Sequence, residues 1–296
     1  MQHDLNHNTL NQNKSKIQVG IINIMPNSVG YHQELIKALS CVADDTDLHW
    51  IRLDSKTYDN EAEPFLAEHY RNFDAVSSDI QLDALIVTGA PVETLAFNEV
   101  YYWEELHGII NTAISENLFT LGICWGALAI GNVLGLTKMN LEDKVFGVFG
   151  HQNQVAQPHP FGELPAELTI PLSIQARFIA EQTDQQVAQG KFATLASNPA
   201  IGHSLLQSSD KQHLLCIGHP EYGATRLIDE WKRDKQKQPD LAPPHGLDIN
   251  NPEAFWRSSS DLLLQFWIDQ VKEQKHNIAH RLTNKGDVKQ STSDLV

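Results

Sequence analysis

Residues 117–135 read NLFTLGICWGALAIGNVLG and place an apolar strand directly before a helix. The segment NLFTLGIC is apolar almost throughout, which is typical of a strand that is buried on both faces. WGALAIGNVLG follows at once, and its apolar residues continue at helical spacing. A strand that passes straight into a helix predicts an α/β fold with a parallel sheet.

The alternation of strands and helices extends on both sides of this segment. Upstream strand patterns are KIQVGIINI, DLHWIRLD and LDALIVTG. The helical patterns that follow them are YHQELIKALSCVA, EPFLAEHYRNFDAV and EVYYWEELHGIINTAI. Downstream are the strand patterns KVFGVFGHQNQV, AELTIPLSIQARF, KFATLASN and HLLCIGHP, and then the helical pattern DLLLQFWIDQV. We predict a doubly wound α/β fold whose sheet is mostly parallel and whose second half is rich in strands.

Length and composition fit one α/β domain between two tails. The chain of 296 residues is long enough for a single large core. Residues 1–15 are rich in Asn, Gln and His, and residues 276–296 are largely polar, so both predict disordered tails. The domain is therefore expected over residues 16–275.

Charge and cysteine content narrow the class of protein. The net charge of −15 argues against nucleic acid or an anionic membrane as the main partner. Three cysteines without a Cys-x-x-Cys pair predict neither a disulfide framework nor a zinc site. Reduced thiols, a polar N-terminus and the lack of an apolar run of about 18 residues predict a cytoplasmic protein.

Cys124 lies at the junction of the predicted strand and helix, within Gly-Ile-Cys-Trp-Gly. Gly122 and Gly126 leave room for a tight turn of the kind that presents a nucleophile. The N-terminus of a helix favours a thiolate, and ligands of open α/β folds bind at the carboxyl edge of the sheet. The alternative is a small core residue, as most free cysteines are.

His219 and Glu221 follow the apolar strand pattern HLLCIG, within Gly-His-Pro-Glu-Tyr-Gly. The end of this strand directs His219 to the same edge of the sheet as Cys124. A thiol nucleophile needs a base that removes its proton, and the base needs a carboxylate that orients it. One turn supplies both groups, which favours a triad. Cys216, inside the strand, and Cys41 are expected in the core.

Together these motifs resemble the class I glutamine amidotransferase fold, which is flavodoxin-like, and more closely the homoserine O-acyltransferase family. The resemblance covers about residues 16–272 and rests on INIMPN, LIVTGAPVETLAFNEVYYWEEL, ICWGALA, KVFGVFGH, GHPEYG and WRSSSDLLLQFW. It implies that Cys124 forms an acyl-thioester, that His219 is the general base and that Glu221 orients His219. It also implies a homodimer.

The resemblance extends to single positions around the substrates. Lys144, Ser173 and Arg233 match the family's substrate-binding lysine, serine and arginine, and a guanidinium suits the carboxylate of an amino acid. Without the resemblance, both cations read as ordinary solvated charges.

Glu93, in GAPVE, matches a position where the family has glycine with succinyl-CoA and glutamate with acetyl-CoA. A carboxylate there would repel the distal carboxylate of a succinyl group, so acetyl-CoA is the expected donor. The alternative for Glu93 is an acidic residue at a helix N-terminus.

Acyl transfer also needs backbone N–H groups that stabilise the oxyanion of each tetrahedral intermediate. The N–H of Trp125, at the start of the predicted helix, is one candidate. The turn TGAP supplies the other, and Ala90 is the expected donor because Pro91 has no N–H.

Two departures from the family pattern bear on the acceptor. The family's Pro-His-Ser-Arg is Pro-Leu-Ser-Ile here, so Leu172 and Ile174 replace a histidine and an arginine. The family's Phe-Glu-His is Phe-Gly-His, so Gly150 replaces an acid. These losses of polar groups predict an altered acceptor pocket, in which L-serine rivals L-homoserine and is slightly favoured.

The sequence therefore predicts an O-acetyltransferase of cysteine or methionine biosynthesis, which moves an acetyl group through a thioester to the hydroxyl of L-serine or L-homoserine. Its partners are small-molecule substrates, with acetyl-CoA as a co-substrate and with no bound cofactor or metal. Homoserine O-succinyltransferase activity is the nearest alternative. A glutamine amidotransferase subunit, which would share the triad, and a non-catalytic binding protein are alternatives of other classes.

Overall fold

The computed structural model describes residues 16–155 and 164–290, with side chains described up to residue 276. The predicted tail at residues 1–15 lies outside the described residues, as do residues 291–296 of the second predicted tail. No helix in the described ranges is both long enough and apolar enough to cross a bilayer.

One mixed sheet of nine strands runs through the described part of the chain. The strands are β1 (Ile17–Ile22), β2 (Thr46–Ile51), β3 (Ala84–Val87), β4 (Phe119–Ile123), β5 (Lys138–Asn153), β6 (Glu167–Phe178), β7 (Phe192–Asn198), β8 (Gly202–Ser208) and β9 (His213–Cys216). They are arranged in the order β2-β1-β3-β4-β9-β8-β7-β5-β6.

Eight α-helices accompany the sheet within the described residues. They are α1 (Ser28–Ala38), α2 (Glu63–His69), α3 (Phe73–Asp79), α4 (Trp103–Ser115), α5 (Trp125–Val133), α6 (Ala180–Ala188), α7 (Arg226–Lys235) and α8 (Arg257–Gln290). Short 3-10 helices follow α1, at Leu39–Val42, and precede α4, at Phe97–Glu99.

The α/β class and the strand-rich second half agree with the sequence. Strands β2, β1, β3, β4 and β9 are parallel, and every residue of β3 and β4 is buried, which explains their unbroken apolar runs. From β9 to β6 every pairing is antiparallel. The sheet is therefore evenly divided rather than mostly parallel, because the second half of the chain folds as hairpins.

The adjacency of β4 and β9 positions the functional site. These two parallel strands are hydrogen-bonded neighbours, and the Cys124 N–H continues the pairing by donating to the Cys216 carbonyl at 2.8 Å. The segments that follow both strands therefore emerge side by side at the carboxyl edge of the sheet. Cys216 itself is fully buried, as predicted.

Several elements differ from the sequence-based prediction. The single helix predicted at EPFLAEHYRNFDAV is two helices, because Tyr70 is extended and Asn72 caps α3 by accepting a hydrogen bond from the Ala75 N–H. Helices α6 and α7 and strand β8 had not been predicted. Cys41 is exposed rather than in the core, because the 3-10 helix after α1 turns it outward.

The closing helix α8 buries Leu263, Phe266, Trp267 and Val271, the four residues that its sequence offered to the core. It continues to Gln290, past the predicted domain end at residue 275. Residues 276–290, which belong to the predicted second tail, are part of this helix.

Candidate active site

Cys124 occupies a sharp turn between β4 and α5. Its backbone has a φ of 52° and a ψ of −115°, which residues other than glycine rarely adopt. The strain arises because β4 ends at Ile123 and α5 begins at Trp125, so one residue makes the whole change of direction. Such strained residues cluster at functional sites, and this one holds a thiol at the edge of the sheet.

Two glycines allow the chain to pack closely around Cys124. A Cβ atom on Gly126 would lie 2.1 Å from the Val87 carbonyl oxygen, so only glycine allows α5 to contact β3 at this point. A Cβ atom on Gly89 would lie 3.2 Å from Cε1 of His219 and 3.3 Å from the Cys124 Cβ. Glycine is therefore needed for the close packing of these segments as well as for the turn at Cys124.

His219 and Glu221 lie beside Cys124 in a buried arrangement. His219 Nδ1 is 2.6 Å from Glu221 Oε1, and the His219 ring lies close to Cys124, since a Cβ atom on Gly89 would contact both side chains. Burial alone would lower the pKa of His219, but its interactions with Cys124 and Glu221 raise it well above its usual value. The imidazole is therefore held in its charged form beside the sulfur.

Tyr31, on α1, adds a fourth member that the sequence did not reveal. Its hydroxyl donates a hydrogen bond to Glu221 Oε1, the oxygen that also faces His219. Burial, followed by the charge of Glu221, raises the pKa of Tyr31 well above its usual value. The phenol therefore stays protonated and acts as a donor to the carboxylate.

A second buried carboxylate, Glu230 on α7, lies next to these residues. It accepts hydrogen bonds from the hydroxyls of Tyr222, at 2.7 Å, and Ser173, at 2.5 Å. The Tyr222 ring stacks on His219 with ring centroids 4.0 Å apart. Burial opposes the ionisation of Glu230, but His219 and the two hydroxyls hold its pKa below the usual value. Glu230 is therefore a second buried carboxylate beside His219, and its environment favours the ionised form.

Arg226, also on α7, balances this charge. Its guanidinium lies 5.6 Å from the ring centroid of Tyr31 and 5.5 Å from that of Tyr222. Its nitrogens approach Glu230 and Glu34 at 3.4 Å each. Because the side chain is only 12% exposed, these contacts act in a poorly solvated environment.

A cleft of about 380 Å³ opens above Cys124, a volume that suits small substrates. The sequence-predicted residues that line it are Ala90, Glu93, Cys124, Lys144, Ser173, His219 and Arg233. Glu221 lies behind His219. Trp125 begins α5, where the geometry of a helix leaves a backbone N–H without an intrahelical acceptor. The structure thus brings all the predicted site residues to one place.

The departures from the family pattern do not border this cleft. Leu172 and Ile174 are 0% and 1% exposed and belong to the core, whereas Ser173 between them lines the cleft. The alternation follows from the period of a strand, in which neighbours point to opposite faces. At Gly150 a Cβ atom would lie 2.5 Å from the Glu167 carboxyl carbon, so the Glu167 carboxylate already fills that space.

The arrangement suits covalent transfer of an acyl group. A thiol at a helix N-terminus, an imidazole and an orienting carboxylate are the parts that nucleophilic catalysis requires. No group of three His, Cys, Asp or Glu side chains within residues 16–155 and 164–290 is placed to hold a metal ion.

Tyr31, Tyr222, Arg226 and Glu230 were not identified from the sequence. Two signals were available for three of them. Tyr222 directly follows Glu221, and the segment RLIDEWKR, which contains Arg226 and Glu230, repeats charges at helical spacing. Tyr31 had no comparable signal, because its contact with Glu221 spans 190 positions.

Comparison with known proteins shows which family this chain resembles. A family model described as homoserine O-succinyltransferase matches residues 5–277. Curated homoserine O-acetyltransferases of Bacillus cereus strain AH187 and of Bacillus cytotoxicus are each 31% identical to this chain, and each match covers 86% of this chain and 85% of the relative.

Solved structures support the fold. A glutamine amidotransferase from Thermotoga maritima superposes with a TM-score of 0.61 at 13% identity and covers 88% of this chain and 99% of its own. A glutamine amidotransferase from Methylobacillus flagellatus gives a TM-score of 0.51 at 15% identity, covering 87% and 92%. The fold is therefore of the class I glutamine amidotransferase type. The family match and the 31% identity show that this chain belongs to the homoserine O-succinyltransferase family, and that it is an acyltransferase.

Proposed function

We propose that this protein is an O-acetyltransferase that transfers an acetyl group from acetyl-CoA to the side-chain hydroxyl of L-homoserine or L-serine. The observation that carries this proposal is the buried arrangement of Cys124, His219 and Glu221 at the floor of a cleft that Glu93 also lines. The curated relatives named above are homoserine O-acetyltransferases, which supports the same donor.

The first half-reaction acetylates Cys124. His219 holds the proton of the thiol, and the thiolate attacks the carbonyl carbon of acetyl-CoA. The N–H groups of Trp125 and Ala90 stabilise the oxyanion of the tetrahedral intermediate. The bond to the CoA sulfur then breaks, His219 returns a proton to that sulfur, and CoA leaves an acetyl-thioester on Cys124.

The second half-reaction transfers the acetyl group to the acceptor. His219, now neutral, removes the proton from the acceptor hydroxyl, and the oxygen attacks the thioester carbonyl. Glu221 stabilises the imidazolium that forms, and Tyr31 keeps Glu221 in place. The carbon–sulfur bond breaks, which releases the O-acetyl amino acid and restores the Cys124 thiolate.

Glu93 supports acetyl-CoA as the donor. Its side chain is largely enclosed, and burial raises the pKa of its carboxyl group. Its backbone carbonyl accepts a hydrogen bond from Lys138 at 2.7 Å, which fixes the loop that carries it. A succinyl chain that entered this space would bring a second carboxylate against Glu93. The repulsion between the two carboxylates would be strong, because Glu93 is already poorly solvated.

The acceptor is a small hydroxy amino acid. Its carboxylate suits Lys144 and Arg233, and Ser173 offers a hydroxyl that Glu230 orients. Leu172 and Ile174 lie in the core, so their apolar character does not remove a polar group from the cleft. The choice between homoserine and serine depends on the depth of the cleft above Cys124, since the two acceptors differ by one methylene.

An assay with four substrate pairs tests the proposal. Acetyl-CoA or succinyl-CoA is offered with L-homoserine or L-serine, and CoA release is followed. We expect turnover with acetyl-CoA and one or both acceptors. Without an acceptor, intact-protein mass spectrometry should show one acetyl group on the wild type and none on Cys124→Ser. Absence of the adduct, together with full activity of Cys124→Ser, would overturn the thioester mechanism.

Glutamine is included as a fifth substrate. Hydrolysis of glutamine without any use of acyl-CoA would replace the proposal with an amidotransferase function. Consumption of neither acyl-CoA nor glutamine would instead favour a binding protein.

A further inference from the structure

Glu34 is a partly buried carboxylate near the triad that the proposed mechanism does not use. It follows Tyr31 by three positions, so both side chains extend from the same face of α1. Its side chain is 24% exposed, and its Oε2 atom is buried without a hydrogen-bond partner among the described residues. Burial raises the pKa of Glu34, and the charge of Arg226 opposes that rise. A carboxylate that has lost water in this way depends on a nearby cation.

Arg226 is that cation, and it joins α1 to α7. Its Nη1 donates to Glu34 Oε1 at 3.4 Å, and its Nε lies 3.4 Å from Oε1 of Glu230, one turn further along α7. The Tyr222 ring centroid is 5.5 Å from the guanidinium carbon of Arg226 and 4.0 Å from the ring centroid of His219. Arg226 and the catalytic base therefore share a neighbour. We call the pair of Glu34 and Arg226 the α1–α7 bridge.

The α1–α7 bridge is part of a larger set of charges around His219. The titratable and charged groups of this set are Tyr31 and Glu34 on α1, Glu93 after β3, Cys124 before α5, Lys144 on β5, Glu221 and Tyr222 after β9, and Arg226 and Glu230 on α7. Asp59, Asp229 and Arg233 border the cleft but are exposed, so solvent weakens their effect. Among the described residues near His219, enclosed carboxylates thus outnumber enclosed cations, which favours a protonated ring.

Transfer to the acceptor needs His219 in its neutral form. In the first half-reaction, a positive ring beside the Cys124 thiolate is useful. Once Cys124 carries the acetyl group, the thiolate charge is gone, whereas the carboxylates of Glu221 and Glu230 remain. A ring that took up a proton from solvent at this stage would be unable to accept the proton of the acceptor hydroxyl.

We propose that Glu34 and Arg226 are positioning residues that set how readily His219 takes up a proton in the acetyl-enzyme. This inference rests on the proposed acetyl transfer through Cys124. Arg226 offsets the nearby carboxylates and so favours the neutral ring. Glu34 interacts electrostatically with both Arg226 and His219, and its negative charge favours the protonated ring. The two residues therefore act on His219 in opposite directions.

Two amide substitutions remove the two charges separately. Arg226→Gln removes the cation, and Glu34→Gln removes the anion with little change in volume. The measurement is the pH dependence of kcat/KM for the acceptor, because the acceptor reacts with the acetyl-enzyme and this ratio reports the ionisation of the form that binds it. Arg226→Gln should move the acid limb of the profile to higher pH by about half a unit or more.

Glu34→Gln should move the same limb to lower pH by a similar amount. The double variant, from which one charge of each sign is missing, should return towards the wild-type profile. A purely structural role for the α1–α7 bridge would lower the rate in both variants without moving their acid limbs in opposite directions. Should Arg226→Gln fail to fold, the shift in Glu34→Gln decides the matter alone.

Arg52→Gln is the matched control. Arg52 also forms a partly buried ion pair between two elements, because its Nη1 and Nη2 donate to the Glu63 carboxylate of α2 at 2.9 and 3.0 Å. It does not line the cleft. Its replacement should lower the unfolding free energy at most modestly and leave the acid limb at its wild-type position.

The outcomes separate this inference from the proposed function. If the wild type does not turn over acetyl-CoA, the proposed function is wrong and the inference fails with it. If acetyl-CoA is used but both bridge variants keep the wild-type acid limb, or both move it in the same direction, only the inference fails. A higher acceptor KM at every pH, with an unmoved acid limb, would also overturn the inference and would assign Arg226 to acceptor binding.

Discussion

Tyr31 and Glu221 are hydrogen-bonded although 190 positions separate them in the chain. The bond reaches Oε1 of Glu221, which also lies 2.6 Å from His219 Nδ1. Oε2 of Glu221 is buried and has no hydrogen-bond partner among the described residues. The orientation of His219 therefore depends on a side chain from the first helix of the fold.

Tyr31→Phe should lower kcat by about tenfold or more, because a hydrogen bond to a charged group contributes about 1.5–3 kcal/mol. The variant loses the donor that holds the Glu221 carboxylate, so Glu221 orients His219 less well in both half-reactions. The KM values should change little, since Tyr31 does not line the cleft. Steady-state CoA release measures both parameters.

Tyr70→Phe is the matched control. The hydroxyl of Tyr70 is also buried, but it contacts Asn23 and His32 rather than the triad. Its removal should lower the unfolding free energy without changing kcat. An equal loss of kcat in both variants would show that Tyr31 acts through stability alone.

Glu93→Gly should broaden the choice of acyl donor. The change removes a carboxylate whose pKa is raised by burial and opens the space beside Cys124. The ratio of kcat/KM for succinyl-CoA to that for acetyl-CoA should rise on the order of tenfold, which corresponds to about 1.4 kcal/mol. Competition between the two donors gives this ratio directly. Glu93→Gln keeps the volume, so a rise in this variant too would identify charge, and not space, as the cause.

Gly126→Ala should destabilise the fold by about 3 kcal/mol or more, because its Cβ would lie 2.1 Å from a backbone oxygen that cannot move aside. Gly108→Ala provides the contrast. Gly108 lies in α4, where a Cβ meets nothing within 4 Å, so alanine should stabilise by about 0.5–1 kcal/mol. Thermal unfolding of both variants tests the pair, and similar unfolding temperatures would contradict the predicted packing.

His151 should make the protein sensitive to acid. Burial lowers the pKa of this fully enclosed histidine from 6.5 to about 4. The unfolded chain therefore binds the proton more readily, so the stability linked to His151 is complete above pH 6.5 and is lost as the pH falls towards 4. At pH 5 the loss is about 2 kcal/mol.

His151→Leu tests this expectation by urea unfolding at pH 7.5 and pH 5. The variant should lose less stability than the wild type between the two pH values. His107→Leu, a change at an exposed histidine of α4, controls for the removal of an imidazole. An unchanged pH dependence in His151→Leu would show that other groups govern the acid response.

Strands and helices could be predicted from the sequence wherever the apolar pattern of a segment matched its burial in the fold. β3 and β4 are apolar and fully buried, so their position was clear from the chain alone. Helix α6 gave no such signal, because Thr183 is its only buried residue and an apolar stripe is absent. In α7 the charged residue Glu230 occupies a buried position, which breaks the apolar pattern of the helix.

The candidate site shows the same limit. Cys124, His219 and Glu221 follow strand ends, so parallel pairing alone predicts their meeting. The contact of Ser173 with Glu230 joins residues 57 positions apart and depends on how α7 lies against β6, which no local pattern specifies. The sequence analysis predicts that Leu172 and Ile174 change the acceptor pocket. Both side chains lie in the core instead, because neighbouring residues of a strand point to opposite faces.

At Cys124 the backbone conformation lowers the stability of the fold, whereas the thiol serves activity. A residue with a side chain at positive φ costs on the order of 1 kcal/mol or more, and glycine would remove that cost. Selection for stability alone would therefore favour glycine at position 124, and a cysteine persists there only while its sulfur is needed. In a relative that had lost the acyl-transfer activity, we expect this position to be the first in the turn to change, from cysteine to glycine.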